Sequence, residues 1–301
     1  MTSLFYSEPV FRPPSEGNSL LLTVSIGCSF NCTFCYPYKH KKFSIRDIED
    51  IKRDIDISKK IYGDSIRKIF LLDGNAFALA PEKLIEISNY CYKQHKNLKR
   101  VSAYAHANDI ISKSDEDLLR IAKSGLKMVY LGIETGDNAL LKTINKKTSA
   151  ENLTKAAYKL HNSGIILSGT IILGLAGNIP DLSKKHAILT AKLINQMNPI
   201  RNQLWYISAL SLMIPPETII KQQVENGIFT PLNQKDTLKE LKFLLENISD
   251  DLHGCIFRSN HASNYLALKG VLANDKYDLI EKVKYGLDHP ESLRPEYYRG
   301  L

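Results

Sequence analysis

The stretch Leu20–Tyr36, LLLTVSIGCSFNCTFCY, joins two patterns: an apolar, β-branched run up to Ile26, then Cys28, Cys32 and Cys35 spaced C-x3-C-x2-C. The run reads as a strand and the cysteines as the loop that follows it. Five cysteines in a chain of 301 residues is an odd number, and Cys91 and Cys255 stand alone. A disulfide framework prefers an even count in a small secreted chain, so metal is the favoured reading of the triad. Structural zinc asks for a fourth ligand; His40 could be offered, but the spacing is not the paired C-x2-C of zinc ribbons. Three thiolates suit an iron–sulfur cluster with one iron left open, because an all-cysteine [4Fe–4S] cluster takes four. A structural zinc loop or chance spacing is the plain alternative.

Outward from this loop, apolar β-branched runs alternate with amphipathic segments. Strands are expected near Leu20–Ile26, Lys68–Leu72, Arg100–Tyr104, Lys127–Ile133, Ile166–Leu173 and Gln203–Leu212. Ile45, Ile48, Ile51 and Ile55 recur at helical spacing. Ser114 opens a helix whose first turn holds Asp115, Glu116 and Asp117, where the macrodipole favours acids; Gly125 ends it. Ser149 and Gly164 bracket another. Strand–helix alternation predicts parallel β/α units, an α/β fold. Six units to about Met213 make a partial (β/α)6 barrel of the TIM type, with a small, mostly helical C-terminal extension after Pro215-Pro216. The expected division is an N-terminal segment 1–16, a core barrel 17–213 and an extension 214–301. Such barrels carry their chemistry at the C-terminal ends of the strands, where the cysteine loop falls.

Composition narrows the class. Hydrophobic residues make up 44% and charged residues 24%, which excludes a mostly disordered chain. The longest apolar stretch, Ile165–Gly177, is shorter than the roughly 18 residues of a membrane span and contains Ser168 and Thr170. The proline-broken start MTSLFYSEPVFRPP is unlike a secretory signal, so a cytoplasmic protein is expected. The net charge of +8 raises a nucleic-acid partner or an anionic substrate. The excess is mostly lysine scattered along helices, so nucleic acid is not favoured.

The run GCSFNCTFCY resembles the C-x3-C-x-Φ-C signature of the radical S-adenosylmethionine (radical SAM) superfamily, with Phe34 as the aromatic Φ. The resemblance extends over roughly Arg12–Leu268 and implies the same barrel. Asp73-Gly74-Asn75 stands where that family has a glycine-rich motif that binds the SAM amino group; Asn75 replaces the usual acid. LGIETGDNALLKTINKK, after the fourth strand, resembles the LGxES/TG segment of Elongator-type and coproporphyrinogen-type members, which makes Glu134 the ribose candidate. Gly174 and Leu175, in GTIILGLAGN, are similar to the strand-five motif beside the adenine. His106, at the end of the third strand, is a candidate contact for the SAM carboxylate or a substrate, and Arg258 and His261, in CIFRSNHASNYL, are substrate-contact candidates. Simple hydrogen bonding and side-chain turns are the alternatives for them.

The resemblance implies an oxygen-sensitive enzyme. Cys28, Cys32 and Cys35 hold a [4Fe–4S] cluster, SAM chelates the open iron, and a flavodoxin- or ferredoxin-type donor supplies an electron. The 5′-deoxyadenosyl radical so formed abstracts hydrogen from a substrate, with a small molecule or peptide favoured. An RNA-modifying enzyme is the alternative. A non-catalytic electron carrier or metal-stapled interaction protein explains the cysteines but not the matched strand ends. Tyr36 and Pro37 follow the triad where coproporphyrinogen-oxidase-like enzymes carry a further cysteine, so that branch is not matched.

Overall fold

A computed structural model of the chain describes residues 3–300. The expected segments 1–16 and 214–301 run past these limits at residues 1–2 and 301, which lie outside the described residues. In chain order the elements are β1 (Leu20–Thr23), β2 (Ser25–Ile26), β3 (Ser44–Ile45), α1 (Ile48–Tyr62), β4 (Lys68–Leu72), α2 (Pro81–Gln94), β5 (Arg100–Ala105), α3 (Ala107–Ser112), α4 (Asp115–Lys123) and β6 (Leu126–Glu134). There follow α5 (Asn138–Thr143), α6 (Ala150–Ser163), β7 (Ile166–Leu173), α7 (Pro180–Gln196), β8 (Trp205–Ser211), α8 (Ile219–Glu225), α9 (Gln234–Glu246), β9 (Cys255–Arg258), β10 (Lys269–Val271) and α10 (Leu272–Asp288). Among the described residues no helix is long and apolar enough to cross a membrane.

The chain forms two compact units that interleave along the sequence. The first runs to Asn31 and adds Pro37–Leu131 and Lys155–Leu167; the second takes Cys32–Tyr36, Gly132–Thr154 and everything from Ser168.

In the first unit β1, β4, β5 and β6 are parallel neighbours in that order, with Leu22 beside Leu71, Phe70 beside Ser102 and Tyr104 beside Tyr130. Side chains alternate across the sheet. Ile69, Leu71, Val101, Ala103, Val129 and Leu131 are fully buried, as are Ile51, Ile55, Leu84 and Ile87 from α1 and α2. Each Val, Leu or Ile side chain among them contributes about 1.5–3 kcal/mol by leaving water. The other sheet face carries Phe70, Tyr104 and Tyr130, packed edge to face with centroids 5.0–6.1 Å apart. The expected α4 is present: the Ser114 hydroxyl accepts from the Asp117 amide and the acids occupy the first turn. Gly125 follows at φ 103°, where a Cβ would strike the Tyr92 ring.

The first expected strand, Leu20–Ile26, is shorter than the sequence suggests. β1 stops at Thr23, and Ser25–Ile26 turns aside to pair antiparallel with Ser44–Ile45. The Val24 amide still donates to Leu72 O while its carbonyl accepts from Arg46, so the backbone changes partners there.

In the second unit β7, β8 and β9 are parallel, and β10 runs antiparallel to β9. The expected extension is therefore not only helices and loops; it contributes two strands to the sheet. Trp205, Ile207, Ala209, Cys255 and Phe257 are fully buried on one face. Tyr206, Ser208, Leu210, Ile256 and Arg258, on the other, are only half-buried. Both units have the expected α/β construction.

Candidate active site

In the first unit the base of the cysteine loop is pinned by one carboxylate. Asp73 Oδ2 accepts from the Gly27 amide at 3.2 Å and from Lys41 Nζ at 3.0 Å, residues that flank the loop on either side. Lys41 also donates to the carbonyls of Ser7 and Pro9. Burial pushes the Asp73 carboxyl above its ordinary range, and Lys41 partly offsets that. Gly27 lies at φ 71°, and a Cβ there would stand 2.6 Å from Lys41 O. Gly74 makes room for a different group from the one its motif suggests: its missing Cβ is replaced by the Tyr38 ring.

Asn75 is 1% exposed and donates through Nδ2 to Ser29 Oγ at 3.0 Å and Asp109 Oδ2 at 2.8 Å. The Asp109 carboxylate can only accept, which fixes the direction of the amide. Asn75 Oδ1 is left buried without a partner among the described residues, an acceptor suited to an ammonium. His106 stacks on Phe30 of the cysteine loop, with centroids 3.5 Å apart, and its Nδ1 caps α3 by accepting from the Asn108 amide.

In the second unit the loop is tied by the Thr33 amide to Ile144 O at 3.0 Å, and by Thr33 O to the Ile220 amide at 3.1 Å. Phe34 packs on Ile144, Ile172 and Leu175, beside Leu212. Glu134, at the end of β6, lies at φ 63° and is 6% exposed. Its Oε1 accepts from Lys146 Nζ at 2.7 Å. Gly174, at φ 89°, donates its amide to Glu240 Oε1 at 2.6 Å. Glu240 is wholly buried and also holds Ser183 Oγ, and His186 Nε2 lies 3.5 Å from its Oε1. His186 Nδ1 in turn meets Thr135 Oγ1 at 2.8 Å, so one polar chain links the ends of β6 and β7.

The polar run after β9 is built mainly as a turn. Asn264 Nδ2 donates to Ala209 O and Ser259 O, and Ser211 Oγ donates to Asn264 Oδ1. His261 Nδ1 is engaged by the amide and hydroxyl of Ser263. Burial and then the Arg294 charge push His261 below its ordinary pKa, which keeps it neutral. Arg258 stands apart: its guanidinium lies over the Tyr206 ring at 5.4 Å.

Cys28, Asp73, Gly74, Asn75 and His106 thus belong to the first unit, and Cys32, Phe34, Cys35, Glu134, Gly174, Leu175, Arg258 and His261 to the second. The three loop cysteines are half-buried. Among the described residues no three His, Cys, Asp or Glu side chains are gathered to hold one metal ion. A cubane asks for a wider arrangement, since each thiolate takes a separate iron. Sequence reasoning missed Lys41, His186 and Glu240, which act through partners distant in the chain, and Lys146, which stands in the same quoted segment as its partner Glu134.

The sequence of residues 22–182, just over half of the chain, matches the family model of the radical SAM superfamily. The chain is 28% identical over 172 residues to the tRNA-2-methylthio-N(6)-dimethylallyladenosine synthase of Rickettsia canadensis (strain McKiel), covering 54% of this chain and 38% of that protein. It is 27% identical over 175 residues to the anaerobic magnesium-protoporphyrin IX monomethyl ester cyclase of Rubrivivax gelatinosus, covering 58% and 30%. The fold matches coproporphyrinogen III oxidase from Escherichia coli with a TM-score of 0.55 at 14% identity, over 76% of this chain and 51% of that one. The matched stretch, which begins at β1 and carries the C-x3-C-x2-C loop, places the chain in the radical SAM superfamily, enzymes that work with a [4Fe–4S] cluster and SAM.

Proposed function

We propose that the chain is a radical SAM enzyme acting on a small molecule or peptide, with Cys28, Cys32 and Cys35 as the cluster ligands. The observation that carries this is the seating of Phe34: the aromatic residue inside the cysteine motif packs on Leu175 and Ile172 at the end of β7. A cluster on the loop and a nucleoside at that strand end would share one apolar wall. When bound, the cluster and SAM supply a one-electron cleavage that delivers a carbon radical able to take hydrogen from a substrate.

The chain's own residues have these parts. Asp73 and Lys41 hold the base of the loop. Asn75 Oδ1 is the acceptor for the SAM ammonium, and the Glu134 carboxylate, fixed by Lys146, accepts from the ribose hydroxyls. Gly174 and Leu175 flank the adenine, held in place through Glu240. His106 serves as a helix cap and a stacking partner for Phe30, which stiffens the loop. Family members need a reductant; here a flavodoxin- or ferredoxin-type donor is proposed.

An RNA substrate is the second possibility, motivated by the +8 charge and by relatives named for tRNA modification. Binding to RNA that weakens steeply with salt would favour it.

The test is anaerobic reconstitution with iron and sulfide, then incubation with SAM, dithionite and fractionated cell extract. Formation of 5′-deoxyadenosine, lost in Cys32→Ala, is expected. Full cluster absorbance and undiminished 5′-deoxyadenosine in Cys32→Ala would overturn the ligand assignment.

A further inference from the structure

We propose that Thr170, Ser208 and Arg258, one rung across β7, β8 and β9, form the substrate-recognition surface of the second unit, and that the rung takes the anionic oxygen group of a small acid with an apolar body. The proposal rests on the radical SAM reading above and names the substrate class for it.

The strand register sets the three side chains side by side: Thr170 pairs with Ser208, and Ser208 with Arg258. Neighbouring parallel strands lie about 4.8 Å apart, so two hydroxyls and a guanidinium are presented along one line. They share the half-buried sheet face, while the alternate residues Ile207, Ala209 and Phe257 are sealed on the other. A sheet face that carries polar groups without being flooded is suited to a ligand.

Arg258 is the informative member. Arg46, Arg100 and Arg299 each meet a carboxylate, on Asp54, Glu16 and Glu296. Among the described residues Arg258 meets none; its Nε is buried without a partner, and its one contact of charge is the Tyr206 ring. A charged group is rarely taken out of water uncompensated, and a planar guanidinium is matched by carboxylate or phosphate oxygens. The Thr170 and Ser208 hydroxyls make no hydrogen bond within the described chain either, and each can donate to the same anion. Lys269 on β10 pairs in register with Arg258 and adds a second positive charge at the sheet edge.

The next rung explains the apolar body. Ile172 pairs with Leu210, two residues further along on the same face, about 7 Å away. Ile172 also belongs, with Ile144 and Leu175, to the apolar cluster against which Phe34 of the cysteine loop packs. A ligand with its anion on Arg258 and its body along Ile172 and Leu210 reaches the loop that carries Cys32 and Cys35.

The test uses isothermal calorimetry on the anaerobically reconstituted full chain with three probes of one shape: phenyl phosphate, phenylacetate and the neutral phenylacetamide. At least one anion should bind at least tenfold more tightly than the amide, and the better anion distinguishes phosphate from carboxylate. Arg258→Gln should weaken that anion at least tenfold and leave the amide unchanged, while Arg258→Lys keeps part of the affinity. If Arg258→Gln does not fold, judged by circular dichroism, Ser208→Asp should abolish anion binding by placing a carboxylate against the guanidinium. Equal binding of acid and amide, no binding of either anion, or binding indifferent to both substitutions overturns the proposal. The Cys32→Ala chain, without cluster, should still bind the anion. Failure of anion binding with a loaded cluster therefore sinks this inference alone, and failure to load a cluster sinks the cofactor assignment alone.

Discussion

Lys41 and Asp73 close the cysteine loop at its base: Lys41 Nζ lies 3.0 Å from Asp73 Oδ2, and both side chains are more than nine-tenths buried. The Gly27 amide reaches the same oxygen from the other side of the loop. Asp73 belongs to a motif whose resemblance suggests cofactor contact, yet its carboxylate is committed to the chain itself. Asn75 of the same motif keeps a buried Oδ1 with no partner among the described residues, the acceptor proposed above for the SAM ammonium.

Lys41→Met should therefore loosen the loop without touching a thiol. Removing one partner of a buried pair costs about 3–5 kcal/mol. The reconstituted variant should take up iron and then lose its cluster to a chelator several-fold faster than the parent. Equal rates of loss, with an unchanged urea midpoint, would show that the pair is incidental to the loop.

Glu134 and Lys146 make a second such pair, with side chains 8% and 9% exposed. Glu134 adopts a positive φ that a non-glycine residue takes only at a cost, so the strand end spends stability to aim this carboxylate. A Cβ on Gly132 would lie 2.1 Å from Glu134 Oε1, and that position accordingly has none. Glu134→Ala should weaken SAM binding by about 1.5–3 kcal/mol, the loss of one charge-assisted hydrogen bond, with iron content unchanged. Lys146→Met should weaken it in the same direction, because the carboxylate loses its brace. Equilibrium dialysis with labelled SAM decides; unchanged affinity in both variants reduces Glu134 to a structural role.

Glu16, which ends the stretch Arg12-Pro13-Pro14-Ser15-Glu16, is wholly buried and accepts from Ser19 Oγ, Arg100 Nη2 at 2.6 Å, Ser102 Oγ at 3.1 Å and Tyr130 OH at 2.5 Å. Burial and then the Glu16 charge push the Tyr130 phenol well above its ordinary pKa, so it stays a donor. Glu16→Ala should lower unfolding free energy by about 3–5 kcal/mol in urea melts. Arg53→Ala, which breaks an exposed pair with Asp50, should change it by less than about 1 kcal/mol. Similar losses in the two variants would contradict the hub.

What was legible in the sequence follows from range. Strand periods placed β4 and β7 to the residue, and Ser114 with its three acids marked α4, because these signals are local. The cysteine loop was legible because its chemistry lies within one short segment. Glu16 with Tyr130, and Gly174 with Glu240, were not, since the choice of partner for a buried charge is made by topology. β9 showed only as the apolar, strand-like start of CIFRSNHASNYL, and β10 was hidden for another reason: a strand of three residues carries too few alternations to define a period. Arg258 was legible as polar density, but only strand register sets it beside Ser208.

His95 offers a test of acid sensitivity. It is fully buried and bonded through Nε2 to Ser58 Oγ at 2.9 Å, and burial pushes its imidazole below the ordinary value. The unfolded chain then takes up a proton near pH 6.5 that the folded chain refuses. Its contribution to stability is whole above about pH 6.5 and declines as pH falls toward the folded value. Urea midpoints between about pH 7.5 and 5.5 should fall, and His95→Gln should flatten part of that slope. An identical slope in the variant would exclude His95 as the source.

Cys91 and Cys255 decide whether a second cluster can form. Both are 0% exposed, and burial pushes each thiol far above its ordinary pKa. Cys91 lies inside α2 and Cys255 opens β9 on the sealed sheet face, where a thiol behaves as a small apolar side chain. Two such thiols fall short of the four ligands of another all-cysteine [4Fe–4S] cluster, and neither is in the thiolate form that ligates iron. Iodoacetamide on the native apo chain should therefore modify the three loop cysteines within the time that leaves Cys91 and Cys255 intact; these react only after unfolding. The Cys91→Ala/Cys255→Ala chain should bind about four irons, as one cubane requires, and cleave SAM like the parent. About eight irons per parent chain, falling to about four in the double variant, would instead show that the fold opens these positions to a second cluster and would bring sulfur insertion into consideration.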